Sequence, residues 1–511
     1  MPSLTNDTSR HVIIDRRDGQ YICFPDVIRT DDGRLIVAYN EADQHVKPSR
    51  RALLVRTSRD NGRTWGEIVR MDSKKSHCPR LVKLSGDEIL LSDSARTFHA
   101  SMDNGETWES YQATGTRHDM LDRIIDLGSD IFLTTGHRHV GSSHPAIRQA
   151  PTEQMVYRSE DRGRTWEPLA VLASHRNLVL CEASMLRLPN GRIAALMREN
   201  SFVYEPMYLC ISDDNGKNWS DPVPTPLIGH RPTMGLIPDG RLLVTYRNVG
   251  PDGGTCAWMG TLDELMSDFK VHGRAVNQDN PTLTPDGLRV KNDAGEGSVV
   301  RYVLRPMTDP RTATATLEAE VRVDKAGENG CGLRLGAWWR LYPDRIVPDV
   351  ENAKPTSIEP GRFNTIRLDY ASGQVILSVN GEKRAAINMN DDHADTRGIL
   401  FGAPYPFEDN EIDCTWKRVS LWIEEPAFLR TYSWDWKAQD GLPDQWVKEH
   451  ILELKNDRHA ASPDFGYSGW TTLEDGTFFC TYHHGGGNEE GYEPLHSSHI
   501  RGTWFSLDDF K

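Results

Sequence analysis

The densest group of residues able to do chemistry lies near the C-terminal end of the 511-residue chain. His483 and His484 precede Gly485-Gly486-Gly487, and Glu489, Glu490, Tyr492, His496 and His499 follow. A polar, glycine-rich loop of this kind could bind sugar hydroxyls or a metal. Its spacing matches no established metal motif, so no metal is assigned. Arg80, Asp122 and Arg123 form a second charged set. At the starts of strands they could face a central funnel, or they could serve as a structural ion-pair network.

The elements that must position such residues are set by repetition. Four octapeptides share the pattern Ser-x-Asp-x-Gly-x-x-Trp: Ser58 to Trp65, Ser101 to Trp108, Ser159 to Trp166 and Ser212 to Trp219. In each the Asp suits the backbone amides of a tight turn, the Gly suits a positive φ, and the Trp supplies an apolar cap. Recurrence at roughly 40 to 60 residues signals a β-propeller or a related array. A strand, a Gly-containing bend and an apolar strand run in step with it, most clearly from Phe24 to Gly33, Glu182 to Gly191, Arg231 to Gly240 and Tyr467 to Gly476. Weaker copies near Arg80 to Glu88 and Asp122 to Asp130 bring the count to six. The expectation is an all-β chain with six four-stranded blades.

The rhythm breaks once, between the units that begin at Arg231 and Tyr467. From about Gln278 to Glu425 the octapeptide is absent. Segments such as Thr316 to Val323, Thr365 to Tyr370 and Val375 to Glu382 read instead as strands of another kind. We expect residues 1-277 to form blades one to five and 278-425 an inserted, autonomous β-sandwich of concanavalin or laminin-G type lying between complete blades. Residues 426-511 then complete the propeller. His11 to Asp15 is expected to supply the missing strand of blade six, tying the two termini into one sheet.

Composition bounds the function. A hydrophobic share of 38% with 26% charged residues fits a large folded domain. The net charge of −15 argues against nonspecific binding to nucleic acid or anionic membranes, while leaving room for a local basic pocket. No apolar run approaches a membrane span, and the polar segment Met1 to Arg10 has no signal-peptide core, so the expected location is cytoplasmic, or secreted if a leader precedes it. Eight scattered cysteines without Cys-x-x-Cys read as reduced core residues.

With the four octapeptides, the six-unit rhythm, Glu182 to Arg198 and Gly466-Tyr467-Ser468, the chain resembles the Asp-box sialidase (neuraminidase) superfamily outside the insert. The resemblance implies that Tyr467 is a nucleophile, Glu182 its activating carboxylate, and Arg198 a ligand of the substrate carboxylate. It also implies a retaining exo-glycoside hydrolase acting on a terminal acidic sugar such as sialic acid, without a cofactor. A phenol is a poor nucleophile at neutral pH and needs a partner for its proton. A neutral tyrosine can nevertheless approach an anomeric centre that bears a carboxylate without charge repulsion, and arginine forks match that carboxylate.

The sequence departs from the family in three places. The first arginine of the family's triad falls on Cys23, and the third is expected within Thr255-Cys256-Ala257-Trp258; Arg231 and Arg247 are the candidates to restore the anion site. The acid/base position falls in the loop Asn40 to Lys47, where Asp43 or His45 could donate the proton. Two other classes stay open, a noncatalytic carbohydrate-binding propeller and a propeller lyase acting on uronic-acid polysaccharides.

Overall fold

The computed structural model describes residues 1–511 except 74, 119, 143–149, 276–279, 294–299, 329, 390–396, 404–410, 459–463, 486–492 and 494–495. The chain is all-β, with propeller-like sheets. Four sheets have four antiparallel strands each, beginning at Arg80–Lys83, Ile125–Asp126, Leu180–Arg187 and Gly229–Leu236. An eight-stranded sheet joins Tyr21–Arg29 and the three strands after it to Asp464–Thr472, Phe478–Gly485 and Ser498–Phe505, with His11–Asp15 on the last of these. The two halves meet through one parallel register pair, Tyr21 with Ser498. The N-terminal strand thus pairs where the sequence placed it, Val12 opposite Gly502.

The octapeptides fold alike. In the first, the Ser58 hydroxyl accepts from Gly62 N at 2.9 Å, Asp60 accepts from Thr64 N at 2.9 Å, and Trp65 Nε1 donates to Gly62 O at 3.0 Å. The other three repeat this pattern, and all four glycines have φ between 83° and 87°. The glycines also sit at close packing joints with other strands. A Cβ on Gly105 would stand 2.5 Å from Ile36 Cδ1, and one on Gly62 would stand 2.8 Å from Phe479 Cζ.

The interruption falls inside a sheet rather than between complete ones. Ile451–Lys455 pairs with Thr255–Gly260, Trp258 opposite Ile451, so the strand order Gly229–Leu236, Leu242–Asn248, Thr255–Gly260, Ile451–Lys455 is completed from far along the chain. Between those partners a seven-stranded and an eight-stranded sheet share one core, with Leu333, Trp339 and Phe401 from one and Leu317, Leu368 and Trp416 from the other. His272–Ala275 and Arg430–Lys437 pair within these sheets, so the expected limits 278 and 425 are too narrow at both ends. All eight cysteines are buried and unpaired. Among the described residues no helix is long and apolar enough to cross a membrane.

Candidate functional site

The first strands of four units break register at the same place: between Cys23 and Asp26, Cys181 and Ser184, His230 and Thr233, and Phe465 and Ser468. Each break holds one residue of positive φ: Phe24 (56°), Glu182 (48°), Arg231 (49°) and Gly466 (100°). For the three non-glycines this costs about 1–2 kcal/mol apiece. A bulge here re-aims one side chain per strand, and three of the re-aimed residues lie around a single phenol.

That phenol is Tyr467. Arg198 Nη1 donates to its oxygen at 3.1 Å and to Glu182 Oε2 at 2.5 Å, while Arg198 Nη2 donates to Asn200 Oδ1 at 2.5 Å. The guanidinium carbons of Arg198, Arg231 and Arg247 lie 6.0, 6.0 and 5.5 Å from the ring centre. Arg198 and Arg247 hold equivalent positions on neighbouring second strands, opposite Cys181 and His230. Gly466 permits the close approach on the Arg247 side, since a Cβ there would stand 2.9 Å from the Arg247 Cα. Thus Glu182, Arg198, Arg231, Arg247 and Tyr467 converge.

Burial opposes the charge on Glu182, but Arg198 and Arg231 outweigh it and hold the carboxyl at about 2. Burial raises the Tyr467 phenol above its ordinary value in spite of Arg198, so at neutral pH it carries its proton. Arg198 pairs with Glu182, and Arg247 lies 3.7 Å from Asp464 Oδ1. Arg231 donates through Nη2 to the carbonyl of Cys78 at 3.0 Å, but its buried Nη1 finds no hydrogen-bond partner among the described residues. A buried cationic N–H of this kind suits an anionic ligand.

The two acid/base candidates separate. Asp43 is consumed by its own loop, accepting from Ser49 N at 3.0 Å and from the Ser49 hydroxyl, and these bonds hold it at about 2. Ionised and held by its own loop, Asp43 is the less suited of the two to give up a proton. His45 instead places Nδ1 2.6 Å from Asp464 Oδ2. Asp464 also accepts from the Tyr21 hydroxyl and lies 3.4 Å from His483 Nε2. Burial disfavours its charge, but His45, His483 and Arg247 hold it well below the carboxylate range. The Phe24 ring sits among these groups, 5.2 Å from Tyr467, 5.7 Å from His45, 5.0 Å from His77 and 5.6 Å from His483.

Asp464, Phe24 and Tyr21 escape sequence reasoning as site residues. The usable signal is positional: Asp464 stands three residues before Tyr467, and Phe24 shares the register of Glu182 and Arg231. Of the histidine-rich segment, His483 belongs to the site. His484 stacks on Phe465 at 5.2 Å and faces His499 at 5.7 Å as buried packing. Glu489, Glu490 and Tyr492 lie outside the described residues. Among the described residues no cluster of His, Cys, Asp and Glu could hold a metal ion. Arg80, Asp122 and Arg123 stitch units together: Arg80 to Thr233 at 3.3 Å, Asp122 to Ala183 N at 3.1 Å, and Arg123 to Asp26.

The repeat and its strand pattern are shared, over part of the chain, with one known domain family. Residues 90–250 match the BNR repeat-like domain, a span holding three octapeptides with Glu182, Arg198, Arg231 and Arg247. The chain is similar to the solved structure of a protein of unknown function from Dyadobacter fermentans, at 19% identity over 58% of this chain and 93% of that one, TM-score 0.44. It is similar to Trypanosoma rangeli sialidase in complex with sialic acid, at 14% identity over 79% and 81%, TM-score 0.32. It is also similar to sucrose-6-phosphate hydrolase from Lactobacillus gasseri, at 10% identity over 80% and 92%, TM-score 0.35. No curated protein matches the chain.

Proposed function

We propose that the protein is a sialidase-like, retaining exo-glycoside hydrolase with Tyr467 as nucleophile, acting on a glycan that ends in an acidic sugar. The observation that carries this reading is the ring of three guanidiniums on one phenol, with the Arg231 Nη1 uncommitted. Three fixed positive charges meet two carboxylates, Glu182 and Asp464, so the pocket keeps an excess charge for an anionic substituent.

Glu182 and Tyr467 share Arg198 Nη1 rather than a hydrogen bond of their own. A substrate carboxylate that draws the Arg198 fork toward itself leaves Glu182 with less compensation and the phenol as its nearest acidic proton. Glu182 then takes that proton as the tyrosine oxygen bonds to the anomeric carbon. An acidic sugar in this way helps to switch on its own nucleophile. A neutral one does not.

In the same reading the eight-stranded sheet divides at Tyr21 and Ser498 into two blades, which with the other four gives a six-bladed propeller. The two sheets sharing one core between residues 272 and 437 form a β-sandwich inserted between the third and fourth strands of the fifth blade.

The histidines on the Phe24 side favour a second reading, β-elimination on a uronic acid, with an imidazole or the phenol as base. Incubating the protein with fluorogenic sialosides and with uronic-acid polysaccharides separates the two. Release of free sugar with retained configuration is expected. Absorbance from a new double bond instead makes the protein a lyase, and binding without turnover makes it a lectin.

A further inference from the structure

Asp464 has no role in the chemistry described so far, yet it receives more polar side chains than any other carboxylate of the site. It is buried, begins the strand that carries Tyr467, and gathers Tyr21, His45, His483 and Arg247 from three other strands and one loop. An ionised carboxylate only accepts hydrogen bonds. The 2.6 Å contact therefore places the proton on His45 Nδ1, which also touches the Tyr21 oxygen, while the Tyr21 hydroxyl donates to the same carboxylate oxygen. With Nδ1 held, Nε2 is the nitrogen left to exchange a proton. His45 is also the ring of this group with access to solvent, its side chain 22% exposed against 0% for His483.

We propose that Asp464 is a positioning residue that fixes His45 as the proton donor to the leaving group, beside the Phe24 ring that also packs against Tyr467. The inference rests on the hydrolase reading above. Phe24 packs against both Tyr467 and His45, with ring centres 5.2 and 5.7 Å from its own, so nucleophile and donor border the same ring and lie within the reach of one sugar. The balance of the step is complete. Tyr467 oxygen bonds to the anomeric carbon and its proton passes to Glu182. The glycosidic C–O bond breaks with its electron pair on the leaving oxygen, which takes the Nε2 proton of the His45 imidazolium. Water then attacks the anomeric carbon, returns a proton to Nε2 and releases the phenolate, which recovers its proton from Glu182. Asp464 stays ionised and stabilises the imidazolium. Tyr21, His483 and Arg247 face Asp464, and His77 and Arg51 also lie against Phe24.

Two measurements test this on the intact chain. With ¹⁵N-histidine labelling, neutral His45 should be the Nδ1–H tautomer in the wild type, and Asp464→Asn should weaken that preference so that both tautomers are populated. An Nε2–H tautomer in the wild type, or a tautomer ratio indifferent to Asp464→Asn, overturns the assignment.

The second compares leaving groups, because a good one needs little protonation. On a 4-methylumbelliferyl sialoside, Asp464→Asn and His45→Gln should lose less than about tenfold in kcat; on sialyllactose, at least about a hundredfold. Equal losses on both substrates defeat the donor role. His45→Gln, on a part-exposed loop, carries this comparison if Asp464→Asn fails to fold. A wild type inert on every glycoside removes the hydrolase reading and the donor with it, while the tautomer result still decides whether Asp464 orients His45.

Discussion

Among the described residues Glu182 and Tyr467 meet through Arg198, whose Nη1 lies 2.5 Å from the carboxylate and 3.1 Å from the phenol. The carboxylate is therefore an activator in waiting, neutralised until something competes for the guanidinium. Tyr467→Phe removes one oxygen and keeps the ring among its three arginines, so the fold should persist while kcat falls at least about a hundredfold. Glu182→Gln should fall comparably on acidic glycosides. Unchanged kcat in a folded Tyr467→Phe protein would place the nucleophile elsewhere.

The same pair predicts an acid-stability signature. Glu182 is held at about 2, below its ordinary 4.5, first against burial and then by Arg198 and Arg231. A depressed folded-state value means that the unfolded chain takes up the proton first. The stabilisation is present in full above about pH 4.5 and is lost as the pH falls toward 2, and over that window it amounts to roughly 3 kcal/mol. Glu182→Gln also strands Arg198, so the variant should be least stable relative to wild type at neutral pH, and the gap should narrow below pH 4. Urea unfolding of both proteins from pH 7 to pH 3 checks this, and a gap independent of pH would refute it.

Carboxylate recognition should rest most cleanly on Arg231. Removing Arg198 also bares Glu182, whereas Arg231 has no carboxylate within salt-bridge distance among the described residues and a buried Nη1 to spare. Arg231→Gln should lower kcat/KM on an acidic glycoside at least about tenfold, a loss of about 1.4 kcal/mol or more, and much less on a matched neutral one. Equal losses on both would move the substrate outside the acidic sugars.

How much of this was legible follows from what a sequence can signal. The octapeptides announce themselves because Gly and Asp are needed at fixed offsets, and Tyr467, Glu182 and Arg198 follow from their motifs. Arg247 stands opposite His230 as Arg198 stands opposite Cys181, a register visible only once the strands are paired. The bulges at Phe24, Glu182 and Arg231 leave no local mark, because bulky residues there take a conformation usually advertised by glycine. The closing strand Ile451–Lys455 was unreadable for a different reason. Its partner lies nearly two hundred residues earlier, and no local pattern records so distant a pairing.

Gly105 should be intolerant of a side chain on two counts. Its φ is 84°, and an added Cβ would stand 2.5 Å from Ile36 Cδ1 in the neighbouring sheet. Backbone strain and overpacking each act at this joint, so Gly105→Ala should cost about 2–4 kcal/mol. Gly191 has a similar φ of 85° with nothing within 4 Å of its Cβ position, so Gly191→Ala should cost about 1 kcal/mol. Equal costs in chemical denaturation would show that packing at the joint is slack.

The last prediction concerns the two-sheet layer between residues 272 and 437. An autonomous insert would leave the rest soluble when excised, but the seam argues otherwise. Arg397 Nη2 donates to Glu205 Oε1 at 2.5 Å with both side chains fully buried, and Tyr208 OH donates to the other oxygen at 3.1 Å. Arg430 reaches Tyr208 and Thr308, and its Nε donates to the buried Glu425 at 2.8 Å. Excision would strand Glu205 beside Glu199, whose carboxyl burial already raises and which adjoins Arg198 on one strand. Breaking one partner of such a pair costs about 3–5 kcal/mol, whereas replacing both by apolar groups of similar shape can be nearly neutral. Arg397→Met alone should therefore destabilise by that amount, Arg397→Met with Glu205→Leu by clearly less, and a Gly/Ser linker in place of the layer should yield insoluble protein. A soluble, active product of the excision would show that the seam carries no stability and that the layer is detachable.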